Sequence, residues 1–85
     1  MTCYRIFTQY KNFSDVIKLV KESFDEANIS LPLGIYHGKT ECSCIIEVLS
    51  SRSLRVEVVW FADKIKEMNQ QESIIITQHE VEEIV

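Results

Sequence analysis

The sequence predicts an α+β fold: an antiparallel sheet with two helices on one face. Three observations carry this reading. Leu54, Val58, Phe61, Ile65 and Met68 recur at spacings of four, three, four and three, which makes one helical seam. Phe13, Val16, Ile17, Val20, Phe24 and Ala27 make a second stripe of the same kind. The segments around these two helices alternate apolar with polar residues or are rich in β-branched ones.

The elements follow in order. Residues 2–10 read as a strand, with Tyr4, Ile6, Thr8 and Tyr10 on one face and Cys3, Arg5, Phe7 and Gln9 on the other. A helix is expected from Ser14, a good N-cap, with Asp15 favourably placed in the first turn. Asn28 is its expected left-handed C-cap. Residues 31–49 read as a β-hairpin around a two-residue Gly38-Lys39 turn, which pairs Ile35 with Cys42, Leu33 with Cys44 and Leu31 with Ile46. Pro32 cannot donate to a ladder, so the 31–37 strand belongs at an edge. The second helix is expected over 54–69 with Ser53 as cap, although Leu54-Arg55-Val56-Glu57-Val58 also alternates as a strand would. Residues 73–78, around Ile74-Ile75-Ile76, read as the last long strand. Residues 80–85 read as an acidic tail that adds a short strand at an edge.

The order is therefore β-α-β-β-α-β, which right-handed crossovers close as a ferredoxin-like sandwich in a single domain over 1–85. One sheet face is then left without helices. It should carry Arg5, Phe7, Gln9, Tyr36, Glu41, Ser43, Ile45 and Glu47, together with Ile75, Thr77 and His79. That mixture is too apolar for a solvent face and too polar for a core. The second helix raises a related question, because Val56, Val59 and Trp60 point away from its seam. Phe7, Ile45, Val56, Val59 and Trp60 are accordingly the expected interface residues of a dimer or trimer.

Composition narrows the function classes. A net charge of −4 and scattered lysines and arginines argue against nucleic acid or an anionic membrane as partner. No apolar run is long enough to span a bilayer. The N-terminus, Met1-Thr2-Cys3-Tyr4-Arg5, has no secretory pattern. Cys3, Cys42 and Cys44 are odd in number and read as free thiols of a cytoplasmic, reducing compartment.

Catalytic and metal motifs are weak. Cys42, Cys44 and His37 share a face in the expected register, but a structural zinc site wants a fourth ligand and none is visible, so no metal or cofactor is expected. His37 and His79 lack a local nucleophile or carboxylate partner. Phe7 and Tyr36 occupy positions where RNA-recognition motifs stack bases, but the basic-aromatic signature of such motifs is absent from 42–49. The best recognition element is Tyr36-His37-Gly38-Lys39, which offers an aromatic ring, an imidazole and an ammonium at a hairpin tip. With Arg5 it gives the expected ligand-binding set: Arg5, Tyr36, His37 and Lys39.

The element order, with Tyr36-His37-Gly38-Lys39 leading into Cys44-Ile45-Ile46-Glu47-Val48, resembles the trimeric plait proteins related to the divalent-cation-tolerance protein CutA and the PII signalling proteins. The resemblance implies the fold, oligomerisation and a ligand at subunit clefts. The long hairpin and the nucleotide-binding loop of those proteins are missing here. The compact, acidic, motif-poor chain also has the look of short accessory proteins encoded by phages and mobile elements. The expected function is a non-enzymatic, oligomeric binding or regulatory protein that holds a small polar or nucleotide-like ligand, or a partner protein, near its subunit interface. The alternatives are a small enzyme with an intersubunit site using His37 or His79, and an adaptor or inhibitor without a ligand pocket.

Overall fold

The computed structural model describes residues 1–84. Strand β1 (Thr2–Gln9) leads into helix α1 (Phe13–Ser23), then strands β2 (Asn28–Ser30), β3 (Leu33–Tyr36) and β4 (Lys39–Ser50), helix α2 (Arg55–Asn69) and strand β5 (Ile75–Glu80). The sheet is antiparallel in the order β2-β4-β1-β5, with β3 paired to the far end of β4. This is the ferredoxin-like sandwich, with its second strand split into β2 and β3.

Pro32 explains the split. It has no N–H to give the ladder, so pairing lapses over Leu31-Pro32. The register nevertheless runs through the break unchanged. Ser30 opposes Ile45, Leu33 opposes Cys42, and the Ser43 N–H still donates to the Pro32 carbonyl at 3.0 Å.

The sequence places the hairpin turn one residue too late. The turn residues are His37 (φ 51°) and Gly38 (φ 76°), and Tyr36 pairs with Lys39. Positive φ at both central positions is the type I′ arrangement, whose twist matches the flanking strands. Histidine tolerates that region better than most side chains. Each strand residue thus meets a partner two positions from the one expected: Ile35 faces Thr40 rather than Cys42. A shift of two leaves every side chain on its expected face, because strand periodicity is two.

The helix boundaries differ from expectation as well. Asn12, not Ser14, holds the N-cap position of α1, in the left-handed conformation, and its carbonyl accepts the Val16 N–H at 3.0 Å. The helix stops at Ser23, and Asn28 starts β2 instead of capping α1. Phe24 leaves the helix in an extended conformation and packs its ring 5.2 Å from that of Phe61. Leu54 occupies the N-cap position of α2; its N–H donates to the Tyr4 hydroxyl at 2.9 Å, while Ser53 Oγ accepts from the Arg55 N–H. β5 lies two residues later than expected. No further strand follows it among the described residues, although the Val81 N–H extends the ladder to the Met1 carbonyl at 2.8 Å. Val85, the end of the expected tail, lies outside the described residues.

The core lies between the helices and one sheet face. Tyr4 and Ile6 of β1 and Cys44, Ile46 and Val48 of β4 meet Val16 and Val20 of α1 and Val58, Phe61 and Ile65 of α2. All are buried, and each large side chain among them contributes about 1.5–3 kcal/mol by leaving water. The helices do not reach the hairpin tip. Leu33 and Ile35 therefore stand on the helix side of an uncovered arm, 73% and 78% exposed. This arm gives the molecule its long dimension, 42 × 25 × 20 Å.

Candidate functional site

The sheet face without helices is built from the odd-numbered residues of β1, β4 and β5. The register sets Arg5 between Glu47 and Thr77, Phe7 between Ile45 and Ile75, and Cys3 between Leu49 and His79. Alternation thus delivers to one surface the residues expected there.

Phe7 divides this face into two depressions. The first is lined by Phe7, Ile75 and Tyr36 with Glu41, Gln9 and Gln71 at its rim. Gly34 is needed for its aromatic wall. A Cβ built on Gly34 would lie 2.7 Å from Tyr36 Cε2, so the tyrosine ring lies over the bare glycine backbone. The second depression holds Arg5, Phe7, Ile29, Ile45 and Glu47, with Asn28 and Ser30 on its edge strand. Its centre is a cross-strand ion pair, with Arg5 Nε 2.7 Å from Glu47 Oε2. The hydrogen bond to Glu47, and then its charge, hold the Arg5 proton more tightly than usual.

The expected ligand-binding residues do not all converge within one copy. Tyr36 lines the first depression, and His37 and Lys39 stand beside it at the arm tip. Arg5 is paired with Glu47, eight positions along β4 from Lys39, about 27 Å at 3.4 Å per residue. Of the expected interface residues, Phe7 and Ile45 are half-buried on the open face. Val56 and Trp60 are exposed and Val59 half-buried on α2, across the molecule. Lys64 Nζ covers part of the Trp60 ring, 5.5 Å from its centroid. His79 sits on the open face beside Cys3, whereas His37 is in the turn.

All three cysteines are free. Cys44 is buried in the core and Cys3 beside Glu47. Burial raises both thiol pKa values, and the Glu47 carboxylate raises that of Cys3 further. Cys42 is half-buried on the arm.

One polar cluster escaped the sequence reading. Asn69, wholly buried at the end of α2, donates to Gln71 Oε1 at 3.1 Å and to Thr8 Oγ1 at 3.5 Å. Its Oδ1 accepts from Asn12 Nδ2 at 3.0 Å, and Thr8 Oγ1 also donates to Gln71 Oε1. Lys11 Nζ reaches the Asn69 carbonyl at 3.0 Å. The cluster ties the β1–α1 loop to the end of α2 and fixes Gln71 at the rim of the first depression. Its signal was present: Asn69 stands four residues after Ile65, on the buried seam, where a polar residue must find partners.

Comparison with known proteins agrees with this fold. The chain resembles a phage SAM lyase solved in its apo state at 23% identity and a TM-score of 0.69, over 92% of this chain and 78% of that one. It resembles a DUF3240 family protein from Shewanella baltica at 7% identity and a TM-score of 0.66, over 99% and 92%. It also resembles CutA1 from Pyrococcus horikoshii at 18% identity and a TM-score of 0.57, over 100% and 87%. At these identities the likeness is one of fold. No family model and no curated protein matches the sequence. No helix among the described residues is long and apolar enough to cross a membrane.

Proposed function

We propose that this chain is a homo-oligomeric binding protein whose copies meet through the open sheet face and hold a small polar or nucleoside-like ligand at its margin. One observation carries the reading: a sheet face bearing Phe7, Ile45 and Ile75 with no layer over it, Ile75 being 64% exposed. A second copy would bury these side chains and close the two depressions into clefts. Tyr36, with His37 and Lys39 beside it, would contact a ligand in the first cleft, and Arg5 in the second. The α2 patch of Val56, Val59 and Trp60 is a second apolar surface, open to another copy or to a partner protein. Free thiols accord with a reducing cytoplasm, and the phage origin of one structural relative accords with an accessory protein of a mobile element.

The test is light scattering on Ile75→Glu and Trp60→Glu beside the wild type, with circular dichroism to confirm folding. Ile75→Glu should bring an oligomer down to the 9.9 kDa monomer. An unchanged mass in that variant contradicts association through the open face. If Trp60→Glu alone dissociates the protein, the α2 patch is the interface.

A second reading, a small enzyme with an intersubunit site, draws support from the likeness to a phage SAM lyase. His79 on the open face would then face a neighbouring copy. Incubation with S-adenosylmethionine, followed by chromatography, tests it. Turnover that His79→Ala abolishes supports catalysis; intact S-adenosylmethionine after prolonged incubation contradicts it.

A further inference from the structure

The second depression has chemistry that the sheet alone does not require. Its ion pair is joined at a single point, Arg5 Nε to Glu47 Oε2. The two terminal amino groups of Arg5 have no side-chain partner among the described residues, and the Glu47 carboxylate meets only Arg5 Nε and the neighbouring Cys3 thiol, fewer partners than its lone pairs can serve. In one copy this costs little, because both side chains are about a third to a half exposed and water serves them. Under a covering copy the water is displaced, and a guanidinium and a carboxylate would each keep unmet hydrogen-bonding capacity in an apolar setting.

We infer that the Arg5–Glu47 pair is a receptor for the α-carboxylate and α-ammonium of an amino acid, or of a larger ligand that carries that group. This rests on the open-face oligomer proposed above. The planar guanidinium offers its terminal N–H donors to a carboxylate, a geometry that favours two-point recognition. The Glu47 carboxylate, with lone pairs left over, accepts from an ammonium. The four charges then alternate in sign around one ring, so ligand and pair satisfy each other without net charge entering the interface. Beside them on the same face, Phe7 and Ile45 form an apolar floor that suits an unbranched aliphatic side chain. Ser30 and Asn28 on the edge strand add polar groups at the margin. A phosphate ligand lacks the ammonium that Glu47 requires and would meet its charge unfavourably.

The probe is L-methionine, tested by isothermal titration against its methyl ester and its N-acetyl derivative. L-methionine should bind at millimolar concentration or better, and each blocked analogue at least about tenfold more weakly. Arg5→Gln should remove the preference for the free carboxylate and Glu47→Gln the preference for the free ammonium. The exchanged pair, Arg5→Glu with Glu47→Arg, separates this role from a structural one: it should restore stability to the sheet but not binding. An oligomer that binds no L-methionine, or binds ester and acid alike, overturns the inference and leaves the proposed assembly standing. A wild-type protein that is monomeric and binds no L-methionine overturns both.

Discussion

Two kinds of buried residue set the chemistry of this small protein: thiols held neutral and amides held in a network. Cys3 and Cys44 have raised pKa values, chiefly from desolvation. A raised folded-state pKa contributes stability that is fully present below the unfolded thiol value and is lost as pH rises through the folded one. Stability should therefore be flat through neutrality with respect to these thiols and fall in alkaline solution above roughly pH 8.5, where free thiols ionise. Urea unfolding at stepped pH checks this; stability that rises through that range would contradict it. The same burial predicts that a thiol reagent labels Cys42 first, with Cys3 and Cys44 reacting only on unfolding. Asn69 makes the complementary case. Asn69→Leu removes three side-chain partners at once and leaves Thr8, Gln71 and Asn12 to compete for what remains. A loss of about 1–3 kcal/mol in denaturant unfolding is expected.

Among the elements, α2 shows how far periodicity can be read. Its four-three seam proved to be the buried side, and the β-branched start of the segment did not turn it into a strand. Tertiary burial decided the matter, since Val58, Phe61 and Ile65 are inaccessible while Val56 is 79% exposed. Phe61→Ala should cost about 3–5 kcal/mol. Val56→Ala should stay within about 0.5 kcal/mol of wild type. Comparing urea midpoints of the two variants at unchanged slope checks the contrast, and equal losses would contradict the seam. The faces of the sheet were equally legible, because alternation sorts side chains whatever the exact pairing. Turn and cap positions were not. His37 in a left-handed turn, Asn12 at the start of α1 and the early exit at Phe24 answer to strand twist and to ring packing on Phe61, which no local pattern records. The candidate site divides in the same way. Its face could be read from the sequence. The Gly34 bed for Tyr36 depends on a side-chain conformation within β3, and the Arg5–Glu47 contact and the separation of Arg5 from the arm tip depend on how β1 pairs with β4, a strand far away in the chain.

The whole molecule is one sheet, covered on one side and bare on the other. The covered side holds the core and accounts for folding. The bare side joins apolar side chains from three strands with an ion pair at its centre, and the arm extends it beyond the helices. A monomer would keep this face, and Leu33, Ile35 and Trp60 besides, in contact with water. The proposed oligomer would remove that cost and would turn the shallow depressions into enclosed clefts of the kind ligands occupy. The central claim is therefore one of assembly. The most direct test is mass in solution by light scattering across a range of protein concentrations, paired with native mass spectrometry of protein taken straight from cells. The account predicts a small multiple of 9.9 kDa that is stable on dilution. A mass of 9.9 kDa at every concentration would contradict it.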